Sequence, residues 1–282
     1  AVALMPDLTP KPLRSAANAV INLMGALGGV YSLLLIRFLV KSGERPSYLG
    51  VFLGVAGIMA VAVAVLLLTI REKPLAAQIA REYPDEAEEE VPAGTPSAPL
   101  PPEVMRSLRF ILVSIFLWFT AYNAVTTAFS RYAVTVWKME GGGFANCLMV
   151  ATVAAIISYI PIGAISSKIG RKKTIQIGIV LLGSCFLVAA LYPTYHVTMV
   201  IFFAIIGFAW AAIGVNSYPM VVEMSKAGDV GKYTGLYYTF SMAAQVITPI
   251  LSGALLEHVS YRTLFPYSVT FCVLAFITMS QV

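Results

Sequence analysis

An all-α polytopic membrane fold with about eight transmembrane helices is what this sequence predicts, and three observations predict it. Of 282 residues, 59% are hydrophobic and only 12% charged, with a mean hydropathy of +0.81; a soluble domain carries about twice that share of charge. The apolar residues fall in runs close to the roughly 20 residues that a helix needs to cross a bilayer. The cations are divided unevenly between alternate loops, as they are when one set of loops faces the cytoplasm. A secreted or soluble protein is excluded. The net charge of +5 then reflects basic loops and does not point to nucleic acid.

Eight runs qualify, at about 16–40, 48–70, 108–133, 144–166, 174–192, 197–221, 234–256 and 264–282. The first contains Gly25, Gly28 and Gly29 without a nearby proline; small residues let two helices approach closely in a membrane. After the second comes the longest loop, residues 71–107. It holds REYPDEAEEE and then VPAGTPSAPLPP, compositions that cannot build a core and read as a flexible linker. The fourth and fifth runs are separated by GAISSKIGRKK, Gly163 to Lys173, a tight basic turn. The seventh carries Gln245, Thr248 and Pro249 near its middle, where a proline breaks a backbone hydrogen bond and allows a bend. Cys147, Cys185 and Cys272 all lie in apolar runs and read as small buried hydrophobes, without a disulfide or metal pattern.

Placing the 168–173 turn inside puts thirteen cations on the inner loops and five on the outer ones, with Arg131 inside a span. The first complete helix therefore runs outward and the 71–107 linker is cytoplasmic. Arg131 lies near the outer end of its helix and can snorkel to the surface. His196 and His258 fall in outer loops as solvated side chains. The sequence contains no nucleotide-binding loop, metal cluster or catalytic triad, so no cofactor is implied and the chain does not read as an enzyme.

The basic turn resembles the inner-loop signature of the major facilitator superfamily, G-x-x-x-D-R-x-G-R-R/K. Gly163, Gly170, Arg171 and Lys172 match it, Lys168 stands where the first Arg would be, and Ser167 replaces the Asp. The segments 3–25, 116–134 and 216–257 further resemble the sucrose and disaccharide proton symporters and the neighbouring glycoside–pentoside–hexuronide:cation symporters. The last of these, NSYPMVVEMSKAGDVGKYTGLYYTF onward, is the most specific. The resemblance implies a twelve-helix template on which this chain supplies helices five to twelve. Residues 1–70 then end the N-terminal half, 71–107 join the halves, and 108–282 form the C-terminal half. The coupling carboxylates would lie mainly in helices one to four.

On that template the helices beginning near 108 and 197 are repeat-related and line the central cavity. Each carries a Trp with an Asn following within six residues: Trp118, Tyr122 and Asn123 on one, Trp210 and Asn216 on the other. Trp118 and Tyr122 are four apart and share a face. Aromatic faces suit the apolar face of a pyranose, and amides and phenols suit its hydroxyls. With Gln245 these residues are candidate substrate ligands; the alternative makes them interhelical packing. For a second constellation, Asp7, Arg14, Gly163, Lys168, Gly170, Arg171, Lys172 and Glu223, the resemblance implies a cytoplasmic gate whose charges pair when the inner side is closed; the alternative makes them solvated topology signals.

The expected function is cation-coupled uptake of a di- or oligosaccharide, with protons or sodium, by a monomer in the cell membrane working by alternating access. The partners would be a small-molecule substrate, a coupling cation and the lipid bilayer. A drug or small-molecule exporter is the first alternative, and a non-transporting membrane sensor with a transporter fold is another. The lack of a Gly-Pro motif in the first helix counts against the exporter.

Overall fold

The computed structural model describes residues 8–10, 13–39, 49–82, 101–139, 144–225 and 229–282. Among them run nine α-helices: α1 (Arg14–Leu39), α2 (Leu49–Thr69), α3 (Glu72–Glu82), α4 (Pro102–Thr135), α5 (Phe144–Ile169), α6 (Arg171–Leu191), α7 (Met199–Val222), α8 (Val230–His258) and α9 (Leu264–Ser280), with a one-turn 3-10 helix at Tyr261–Thr263 before α9. Helices are what lipid demands, because each backbone N–H and C=O must be satisfied within its own segment. Hydroxyls in the spans obey the same constraint. Ser114, Thr120, Thr152 and Ser158 each donate to the carbonyl four residues back, at 2.6–2.9 Å.

Seven helices, α2, α4 to α8, and α9 with its leading turn, are long and apolar enough to cross a membrane. The expected eighth span corresponds to α1, which at 26 residues is long enough. Its N-terminal half carries Arg14, Asn18 and Asn22, of which Asn18 reaches carbonyls of α7. Two expectations need correction. Part of the 71–107 segment is helical, since α3 occupies Glu72–Glu82; the acidic and Pro-rich remainder at 83–100 lies outside the described residues. The span expected from 108 begins six residues earlier, at Pro102. Proline costs nothing at the first helical position, and Glu103 favours the positive end of the helix dipole.

Helices α4 to α9 form one bundle. The closest neighbours are α5 with α7, α4 with α9, α6 with α7, α4 with α8 and α6 with α9. Its core is aromatic and aliphatic, with Trp118, Phe129, Phe186, Phe203 and Phe265 fully buried. The outer surfaces remain apolar, and α2 turns almost wholly outward, with Leu68 81% exposed, as a lipid-facing helix should. Close approach depends on small residues. At Gly178 of α6 a methyl group would come 2.9 Å from the Ala209 carbonyl oxygen, and at Gly207 of α7 it would overlap the Ala151 carbonyl of α5.

Because consecutive spans alternate in direction, the N-termini of α1, α4, α6 and α8 gather at one end with the C-termini of α5, α7 and α9. This basic end holds the Gly163–Lys173 turn. At the opposite end Trp137 donates from Nε1 to the Tyr192 carbonyl at 3.1 Å. Arg131 there pairs with Glu257 of α8 at 3.3 Å, both largely exposed, a contact worth roughly 0–1 kcal/mol. The three cysteines are free and buried.

Candidate functional site

Two constellations emerge, one at mid-bundle and one at the basic end. At mid-bundle the ring of Tyr122 stacks on Trp210 with centroids 3.7 Å apart and planes 6° from parallel. Phe119 meets the same indole edge-on at 5.2 Å and 88°. The pairing of the two Trp-bearing helices is therefore physical, because α4 and α7 touch through these rings. Phe119 is the member that sequence reasoning missed; its position one residue after Trp118 and three before Tyr122 was the available signal. Trp118 is fully buried, and its Nε1 has no hydrogen-bond partner among the described residues. A buried donor left in that condition costs about 1–3 kcal/mol. Asn123 is half-buried and donates from Nδ2 to the Phe119 carbonyl at 2.8 Å.

Asn216 and Gln245 stand apart from that aromatic cluster. Asn216 is fully buried; its Nδ2 donates to the Ala212 carbonyl at 2.8 Å, and its Oδ1 accepts from the Ser166 hydroxyl of α5. Its Oδ1 thus ties α7 to α5, while its Nδ2 rests on its own helix. Gln245 is half-buried and donates to the Ser241 carbonyl on its own helix at 3.4 Å. No hydrogen bond or ring contact among the described residues joins either side chain to Tyr122 or Trp210.

Another cluster lies between α7 and α8. Tyr218 meets Thr234 hydroxyl to hydroxyl at 3.0 Å, Ser217 meets Tyr237 at 3.1 Å, and the Tyr218 and Tyr237 rings pack at 5.4 Å. The two most distinctive sequence stretches, Asn-Ser-Tyr-Pro and Gly-Lys-Tyr-Thr-Gly, are thereby brought together. Only their spacing in three dimensions was illegible.

At the basic end Gly163, Gly170, Arg171 and Glu223 act as one unit with α1. Gly163 lets α5 approach α1 so closely that a methyl group there would sit 3.2 Å from Ala16 Cα and Ala19 Cβ. Gly170 has φ 91° and ψ 148°, a conformation open essentially to glycine alone; it turns the chain from α5 into α6 within one residue. That turn aims Arg171, the first residue of α6, at Glu223, and the two form an ion pair with side chains 13% and 26% exposed. The Arg171 Nε also donates to Ser15 Oγ of α1 at 2.5 Å. Asn18 of α1 reaches from Nδ2 to the Val215 carbonyl of α7 at 2.7 Å. Together these contacts clamp the basic-end half of α1 onto α5 and α7.

The pair contradicts local preference twice. An Arg at a helix N-terminus and a Glu at a helix C-terminus each face the wrong end of the helix dipole. Such conflicts with local preference are expected at functional or strained sites. Arg14 stands close enough to act electrostatically on Arg171, and donates from Nε to the Thr9 carbonyl at 3.2 Å. Lys172 leaves the pair and caps the C-terminus of α9, reaching the Val282 carbonyl at 2.7 Å. Lys168 is exposed, and Asp7 lies outside the described residues.

Comparison with known proteins fits this geometry. The family model described as Major Facilitator Superfamily matches residues 1–156 and 141–280. No curated protein matches the chain. Among solved structures it is similar to the human organic anion transporter MFSD10 (TETRAN), at 15% identity and a TM-score of 0.75, covering 98% of this chain and 66% of that one. It is also similar to the Major Facilitator Superfamily transporter FucP in the outward conformation, at 14% identity and a TM-score of 0.68, covering 96% and 69%. Such identities speak to the fold alone, and the chain spans about two thirds of the length of each. With a family model matched over nearly its whole length, a helical bundle of the same fold and the glycine-hinged basic turn in place, the chain belongs to the Major Facilitator Superfamily.

Proposed function

We propose that this chain is part of a secondary active transporter that takes up a sugar, of di- or oligosaccharide size, with protons or sodium by alternating access. The observation that carries the proposal is the Arg171–Glu223 lock. It joins helix ends that do not favour those charges, it is tied to α1 through the Arg171–Ser15 hydrogen bond, and its strength suits a two-state element whose states differ by a few kcal/mol. In this reading the basic end faces the cytoplasm, residues 1–70 and 108–282 belong to different halves joined by 71–107, and the structure is closed on the inside. The sugar assignment rests on the Tyr122–Trp210 stack, the buried indole of Trp118 and the Asn123 amide. These groups suit a ring with one apolar face and many hydroxyls better than a lipophilic drug.

Orientation has a direct check. Ser97 lies outside the described residues, but its loop belongs with the basic set. A single cysteine placed there is expected to resist a membrane-impermeant thiol reagent in intact cells and to react after permeabilisation. Ready labelling in intact cells would reverse every inside and outside assignment.

The binding site is tested with Trp118→Phe, which deletes the indole donor while keeping most of the buried volume, and with Asn123→Ala. Each is expected to raise the KM for uptake of a labelled di- or oligosaccharide by about 5- to 150-fold, the equivalent of about 1–3 kcal/mol, while the amount of folded protein stays the same. Unchanged kinetics in both variants would assign the residues to packing. Loss of drug efflux in place of sugar uptake would favour the exporter, and a membrane phenotype without any flux would favour the sensor.

A further inference from the structure

One face of α4 at the basic end carries a stripe that the transport site does not use. Met105, Arg106, Arg109, Phe110 and Val113 recur at spacings that share a helix face, and with Thr278 of α9 they line an open cavity of about 480 Å³. The walls are mostly hydrocarbon. The Thr278 hydroxyl is already engaged, donating to the Leu274 carbonyl at 3.0 Å and lying 2.7 Å from Ser114 Oγ, so the two guanidiniums supply the polar character. Arg106 lies over the Phe110 ring, 5.6 Å from its centroid. Arg109 is exposed and makes no ion pair among the described residues. An acid, Glu103, stands on the first turn of α4 but does not line the cavity.

Depth limits what such a cavity can hold. Arg106 and Arg109 are the last charges before the run Phe110–Ser130, which contains none. The guanidiniums therefore sit at the edge of the hydrocarbon layer, while Val113, 41% exposed, lies about 6 Å deeper at 1.5 Å per residue. Cations at headgroup level above apolar walls match an amphiphile with an anionic head. We infer that this cavity binds an anionic phospholipid from the leaflet at the basic end, its phosphate between Arg106 and Arg109 and its acyl chain along Phe110 and Val113. Arginine's planar fork suits phosphate oxygens, and basic pockets at helix ends recognise anionic headgroups by this means.

The test uses delipidated protein in neutral detergent, titrated with phosphatidylglycerol, phosphatidylcholine or inorganic phosphate. Bound lipid is counted by native mass spectrometry, and the unfolding temperature is followed in parallel. Phosphatidylglycerol is expected to bind and stabilise, and the other two are not. The pair Arg106→Gln and Arg109→Gln is expected to weaken phosphatidylglycerol about thirty-fold, from about 1 kcal/mol per cation. Arg262→Gln, an exposed cation at the opposite end, should leave binding intact. If the double variant does not fold, Arg109→Gln alone should show about a fivefold loss. Equal binding by wild type and variant, or equal affinity for phosphatidylcholine, overturns the proposal. So does competition by inorganic phosphate alone, which would make this a simple anion site. Lipid binding that emerges only after the acids of Asp85–Glu90 are neutralised would identify that segment as the occupant and also overturn it.

Discussion

Replacing Gly207 with Ala is expected to destabilise the bundle more than any other single-methyl change, at the upper end of the about 1–3 kcal/mol typical of overpacking. The added carbon would overlap the Ala151 carbonyl oxygen and come 2.9 Å from its carbon and 3.0 Å from Ala154 Cβ. Two of these atoms are backbone, so no side chain can rotate away, and α5 and α7 must separate along their contact. Separation is costly in lipid, because helix association there depends on van der Waals packing and not on hydrophobic burial. It would also strain the hydrogen bond between Ser166 and Asn216 on the same helix pair. Gly57→Ala supplies the control. A methyl group there meets nothing within 4 Å, so its effect should stay within the about 1 kcal/mol of helix propensity. The comparison is made on half-inactivation temperatures in one detergent at one scan rate, since such unfolding is often irreversible. Similar shifts for both variants would mean that the α5–α7 approach is loose enough to relax, and the close-packing account would fail.

The fold was legible because lipid simplifies the sequence. Apolar run lengths located the helices within a few residues, and loop cations ordered their ends. What escaped was structure that composition does not mark. Helix α3 has an ordinary mixed composition, and α4 begins in Pro-rich sequence that only its N-terminal chemistry explains. The basic-end unit was legible as a motif, since Gly170 occupies a backbone conformation that other residues avoid and Arg171 follows it. The partner Ser15 was not, because a serine near the start of an apolar helix carries no signal of its own. At mid-bundle the sequence could place Trp118, Tyr122 and Trp210 on repeat-related helices. It could not say that Tyr122 and Trp210 stack, that Phe119 completes the group, or that Asn216 spends its amide on Ser166. Those are matters of helix rotation, which a 3.6-residue period leaves free when a helix is apolar on all sides.

Glu223→Gln and Arg171→Gln are both expected to shift the protein toward the state in which α1 leaves α5 and α7, and Arg171→Gln should shift it further. Exposed ion pairs are worth roughly 0–1 kcal/mol, whereas removing one partner of a buried pair costs about 3–5 kcal/mol. At 13% and 26% exposure this pair lies between those limits, so about 1–3 kcal/mol is expected, a change of about 5- to 150-fold in the ratio of states. Glu223→Gln keeps the shape and removes the charge, leaving Arg171 beside Arg14 with less compensation. Arg171→Gln removes that repulsion but loses both the Glu223 pair and the hydrogen bond to Ser15, which ties α6 to α1 directly. If the pair acts as a unit, the double variant is less disturbed than the sum of the singles by 1 kcal/mol or more. Distance labels on the ends of α1 and α7 away from the basic turn read the populations, and uptake rate should fall while substrate affinity holds. Strictly additive effects would show that the two charges act separately. Unchanged populations in both single variants would show that Gly163 and Asn18 hold α1 without the lock, and the alternating access proposed above would then need another switch.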